Sequence, residues 1–238
     1  MRHTLKSAVL IACLLGATAS HAAKAVFQAS DTDGAAVLIE TAANKLRAST
    51  EPDKGGYLIA RDQRIYAVST KGGREMVMDA LQMLQLARHT GGALGMNFLD
   101  LDKYTRDIGG FVRLTDTQRQ ETVGGIAGTV HELVYTDGDG KQRMVELVMS
   151  TDPTLAAMTT QVLELAQAVH AVAATSGQEG VRQLAQEVNN RNLGLLRFGN
   201  DLTLQRLETA AVPENRFTLP QGAANLQQGL QGLQGLFK

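Results

Sequence analysis

The chain has 238 residues, with 23 basic and 24 acidic side chains, four prolines, one cysteine and no tryptophan. So even a charge balance leaves no electrostatic footprint for nucleic acid or an anionic membrane surface, and neither is expected as a partner. A lone cysteine excludes an internal disulfide and a multi-thiolate metal site, so the fold must be stabilised by packing.

Residues 1–22 read as a secretory leader. Arg2 and Lys6 make a positive start, Ser7 to Ala19 an apolar run, and Ser20, His21 and Ala22 a small-x-small cleavage site. The run is too short to cross roughly 30 Å of hydrocarbon comfortably, and no later stretch is long and apolar enough, so no transmembrane segment is expected in the mature chain. Leu10 to Cys13 resembles a lipobox, but Leu14 and Leu15 prolong the apolar run where a lipidated cysteine should end it. Cleavage after Ala22 or Ala23 is therefore expected, with the product in the periplasm. Loss of Arg2 and Lys6 leaves 21 basic against 24 acidic residues and no cysteine.

Beyond the polar residues Asp31, Asp33 and Gly34, residues 35–50 alternate with period two, which predicts one long strand or two meeting near Asn44. Residues 57–69 predict a hairpin turning at Arg61, Asp62 and Gln63. In residues 74–88 the apolar positions Met76, Val77, Ala80, Leu81, Leu84 and Ala87 follow helical spacing, so an amphipathic helix is expected there, ended by Gly91 and Gly92. Residues 96–123 suggest short strands. Residues 129–136 and 141–150 are the clearest strands, joined by Asp137 to Gly140 as a turn.

Asp152 before Pro153 signals a helix start, and Leu155, Met158, Val162, Leu165, Val169 and Val172 form an apolar stripe along residues 153–174. A more polar helix follows over 179–188, residues 194–209 return to β structure, and Phe217 to Gly222 close the domain. The expected organisation is a leader at 1–22, one α+β domain at 23–222, and a Leu/Gln/Gly-rich tail at 223–238, whose glycines each cost about 1 kcal/mol against Ala in a helix.

Short motifs for chemistry have simpler readings. His131 and Glu132 lack the second histidine of a zinc-protease helix, since position 135 is Tyr135. His89 and His170 fall on separate predicted helices. Asp137 and Asp139 lack the closing acid of a calcium loop, and Gly124, Gly125 and Gly128 lack a βαβ setting. No catalytic residue, metal site or cofactor is expected. The one suggestive feature is the methionine-bearing helix with Met76, Met78 and Met83, because flexible, polarizable side chains adapt to varied apolar ligands as well as filling a core.

The order of elements resembles a known group. Gly56 to Arg61 with Ile65 to Val68, Glu121 to Val130 running into Glu132 to Met149, and Phe217, Leu219, Pro220 and Gly222 resemble the exported proteins of domain of unknown function 4412. Those are similar in layout to lipoprotein-carrier half-barrels of the LolA type. Relatives of this kind often carry a cysteine where Thr129 stands. The resemblance implies a strongly curved, open antiparallel sheet with helices packed on its concave face, and no catalytic residues.

The expectation is a non-enzymatic envelope protein that binds a lipid-like molecule or the acylated segment of another protein through Met76, Ala80, Met83, Leu84, Met158 and Val162. The competing readings are a module that binds another envelope protein through its tail, and an enzyme of a kind no motif signals.

Overall fold

A computed structural model describes residues 22–30, 36–51, 56–71, 74–82, 108–173, 178–220 and 224–225. The fold is α+β, built on a large open sheet with eleven antiparallel strands. Strands β1 (Ala23–Ala29), β2 (Ala36–Ala42), β3 (Lys45–Glu51), β4 (Gly56–Arg61), β5 (Arg64–Lys71) and β6 (Arg74–Asp79) form one meander, each pairing with the next. Strands β7 (Gly110–Val123), β8 (Ile126–Thr136), β9 (Gln142–Ser150), β10 (Gly194–Phe198) and β11 (Leu202–Glu208) form a second, and β11 pairs with β1 to join the two. A two-residue strand, β12 (Ala224–Asn225), adds in parallel to β6 at one edge. Helices α1 (Pro153–Ala173) and α2 (Gln178–Asn190) are inserted between β9 and β10.

Several expectations were met and others are corrected. The alternation over 35–50 resolves into β2 and β3, turning at Ala43 and Asn44. The strands expected around the Asp137 to Gly140 turn are β8 and β9, and the Gly140 amide closes that turn on the Asp137 carbonyl at 2.9 Å. Strand β1 had no counterpart in the sequence reading.

The helix expected over 74–88 is corrected in its first part. Residues 74–79 are strand β6, and helical residues begin only at Ala80, with 83–88 outside the described residues. The free edge of β5 decides this, because six cross-strand pairs, Tyr66↔Asp79 to Lys71↔Arg74, satisfy backbone groups that a helix would leave exposed on β5. The short strands expected over 96–123 prove to be one strand from Gly110, while 96–107 lie outside the described residues. Within the expected tail, Ala224 and Asn225 pair with Met76 and Val77, and residues 226–238 lie outside the described residues.

Bulge-free register from β1 to β6 fixes the side-chain faces. Ala25, Ile39, Ala48, Leu58, Ala67 and Met78 stand opposite one another in a row across the six strands, on one face. They belong to one apolar cluster with Leu155, Met158 and Leu165 of α1. Helix α2 buries Val181, Leu184 and Val188 in a second cluster with Leu114, Leu133 and Leu147 of β7 to β9.

Helix α1 starts where Asp152 accepts hydrogen bonds from the amides of Thr154 and Leu155 at 2.9 and 3.0 Å, with Pro153 at the first helical position. Its close approach to β10 needs Gly194. A Cβ there would stand 2.5 Å from the carbonyl carbon of Leu155 and still nearer to the Leu155 Cβ. Gly194→Ala is therefore expected to lower the unfolding free energy by roughly 1–3 kcal/mol, read as a lower urea midpoint with unchanged slope.

Candidate functional site

The alternation that buries one sheet face leaves an unfilled space beneath α1. A cavity of ≈ 70 Å³ lies there, lined by Phe27 of β1, Val37 and Ile39 of β2, Leu195 and Leu202 of β10 and β11, and Leu155, Met158, Thr159 and Val162 of α1. Thr159 carries the only side-chain polar group of this wall, and its Oγ1 accepts the Leu195 amide at 2.9 Å. That bond fastens the helix to β10, and the rest of the wall offers an apolar ligand only dispersion and burial.

Two expected ligand-binding residues, Met158 and Val162, line this cavity. Met76 lies on the same sheet face farther out, in β6, two residues before Met78. Ala80 packs against the cluster that includes Met158, without lining the cavity. Met83 and Leu84 lie outside the described residues. Phe27, Val37, Ile39, Leu195 and Leu202 were not singled out from sequence. Phe27 lies in the strand that the sequence reading lacked, and the strands expected over 35–50 and 194–209 hold the other four, but nothing local marked the gap left above them.

On the opposite face of the same strands sits a charged cluster. Glu40 and Arg47, both 4% exposed, pair at 3.1 Å, and Arg216 approaches Glu40 with Nη2 at 2.5 Å. The Arg47 guanidinium also lies over the Tyr57 ring, 4.0 Å from its centre. Arg216 comes from a short 3-10 turn, Glu214–Phe217, whose last side chain is fully buried.

The sequence candidates for metal and nucleotide chemistry take structural places. His131 is buried on β8 with Nδ1 3.0 Å from the Thr129 carbonyl, and Glu132 follows it on the other side of the strand. His170 is buried on α1, and His89 lies outside the described residues. Asp137 accepts from the amides of Asp139 and Lys141 and from Arg143 Nε, so its carboxylate is engaged within the turn. Gly124 and Gly125, both with positive φ, form the two-residue turn between β7 and β8. Among the described residues no three His, Cys, Asp or Glu side chains come together as metal ligands, and no helix is long and apolar enough to cross a membrane.

Comparison with known proteins finds no matching family model, no matching curated protein and no matching solved structure.

One ion pair gives the fold a pH dependence. Arg197 donates from Nε and Nη2 to the two carboxylate oxygens of Glu121, each at 2.9 Å, and this hydrogen bonding holds the Glu121 carboxyl below its ordinary value of 4.5. A carboxyl lowered by folding adds stability above its unfolded value and loses it as pH falls through the folded one. Glu121→Gln should therefore cost a constant amount above about pH 4.5. The gap from the wild type should shrink below that pH, in urea midpoints taken from pH 7 to pH 3.

Proposed function

We propose that this is a non-enzymatic protein of the bacterial cell envelope that holds an apolar, lipid-like chain, free or attached to another protein, between α1 and a half-barrel sheet. The observation that carries the reading is the cavity bounded by Phe27, Ile39, Met158, Val162 and Leu202, whose wall has no charged side chain. Specific chemistry needs groups that shift charge or protons, and this wall supplies only surface from which water gains by leaving.

Strong curvature of the sheet, with α1 on its concave side in the cluster that includes Leu204, is supported in two ways. Open sheets of more than about ten strands rarely stay uncurled, because twist accumulates from strand to strand. Four strand steps separate β7 from β11, about 19 Å in a flat sheet. Yet a Cβ at Gly124, in the turn just after β7, would stand 2.9 Å from the Leu204 carbonyl oxygen of β11.

At ≈ 70 Å³ the cavity holds only a short piece of such a chain. It is about half the roughly 150 Å³ that accepts a benzene ring. A longer chain enters by displacing α1 from the sheet, and its gross gain of about 0.8 kcal/mol for each buried methylene offsets that displacement.

Export through the leader supports the periplasm as the working compartment. The buried Ala23 opens β1 and pairs with Thr41, so cleavage after Ala22 keeps the first strand whole whereas cleavage after Ala23 removes a paired residue. Intact-mass measurement of the periplasmic fraction should find a chain beginning at Ala23. An unprocessed product inside the cell would defeat the envelope assignment.

Binding is tested on purified, delipidated protein by native mass spectrometry and by displacement of cis-parinaric acid. Fatty acids, phospholipids and acylated peptides are the competitors. Val162→Phe, which fills the cavity from α1, should weaken probe binding by about fivefold or more, while Leu184→Ala in the α2 cluster should not. The proposal fails if no adduct and no displacement appear for any class.

A further inference from the structure

We propose that residues 209–220 form a latch, on the face opposite α1, that sets how far the β2–β3 hairpin can part from the helix and so governs access to the cavity. The proposal rests on the reading of that cavity as the ligand site, and it deepens it by adding a control element.

Strand β2 carries both sides of the device in alternate residues. Val37 and Ile39 form cavity wall, while Glu40, the next residue, points to the other face and is buried there. On that face Arg216 approaches both Glu40 oxygens, with Nε at 3.1 and 3.0 Å, and Nη2 reaches Oε2 at 2.5 Å. The fully buried Phe217 follows, its carbonyl accepting Arg61 Nη1 of β4 at 3.1 Å. Glu214 pairs with Lys45, at the start of β3.

The same hairpin is held from the helix side. Gln161 of α1 donates through Nε2 to the Ala43 carbonyl at 2.7 Å, in the turn between β2 and β3. The turn is thus tied to α1 through the Gln161 hydrogen bond and to the 209–220 segment through the ion pair of Lys45 just beyond it. When Arg216 and Phe217 are seated, the segment covers the side towards which β2 would tilt away from α1, so the hairpin opens only by pushing the segment out of its place against Glu40, Lys45 and Arg61. When they are not, the outer face no longer adds to the resistance that the bond from Gln161, the apolar contacts of Val37 and Ile39 and the ladders to β1 and β4 offer. Arg216 is half-exposed whereas Arg47 is buried, so the outer arginine can leave while the Glu40–Arg47 pair stays intact and neutral.

That asymmetry supplies a variant that should still fold. Arg216→Met removes the outer guanidinium and leaves Glu40 its buried partner Arg47. Hydrogen exchange of the ligand-free full chain should then be at least about tenfold faster in peptides covering 36–51 and in the first turns of α1. Association of cis-parinaric acid should be about fivefold faster or more. Lys45→Met, which removes only the exposed pair with Glu214, should move both readouts the same way by less. Leu184→Ala, destabilising through the α2 cluster, should leave exchange over 36–51 close to wild type.

Unchanged exchange over 36–51 and α1 in Arg216→Met overturns the latch, whatever the probe does. Faster exchange without faster association, where the probe does bind, overturns its role in access. A probe that binds neither protein defeats the ligand reading itself, and the access role with it.

Discussion

The pairing of β1 with β11 is the contact on which the rest of the fold depends. It places Lys24 opposite Glu208 and Ala29 opposite Leu202, closing nearly the whole chain into one loop. Such closure costs conformational entropy before any contact offsets it, and so it must be followed by burial on both sides of the joint. Phe27, Val37 and Ile39 come to the cavity from the first meander, and Leu195 and Leu202 from the second. Helix α1 leaves β9 and its chain returns to β10, so the helix lies over the seam. The cavity is a property of the joint and belongs to neither half alone.

That dependence explains what the sequence could and could not disclose. Strands β8 and β9 were legible because β-branched alternation flanks a turn whose Asp137 binds its own backbone. Helix α1 was legible from Asp152, Pro153 and an apolar stripe at helical spacing, and Met158 and Val162 followed from that stripe. By contrast, Met76, Val77, Ala80 and Leu81 fit helical spacing, but the edge of β5 takes the first two into a strand. Strand β1 was missed because its alternation begins directly at the leader's expected cleavage site. The charged cluster was out of reach altogether, since Glu40 and Arg216 meet only when residues far apart in sequence are brought across the sheet.

The two faces of the first meander solve different problems. On the α1 side, small and large apolar residues alternate across strands, as with Ala25, Ile39, Ala48 and Leu58, so a helix can approach without polar groups to satisfy. On the other side Glu40 and Arg47 are buried, and each is tolerable only because the other is present. A buried pair of this kind adds little net stability compared with apolar residues of the same size. It does make the seating of Arg216 and Phe217 specific, because an apolar segment without an arginine leaves one Glu40 oxygen bonded less well. Apolar burial gives the sheet its stability, and charge selects which segment covers its outer face.

For the proposed ligand, the small size of the cavity imposes a threshold. A chain short enough to fit ≈ 70 Å³ buries only a few methylenes, at about 0.8 kcal/mol each, before the losses of association are subtracted. A longer chain buries more but must first separate α1 from the sheet, forfeiting contacts of Leu155, Met158 and Val162 and straining the bond between Thr159 and the Leu195 amide. Net affinity therefore stays low until the added methylenes outweigh the helix contacts, and then rises with each further one. For such a ligand, long-chain selectivity would follow from the smallness of the space, with no group in the wall measuring length.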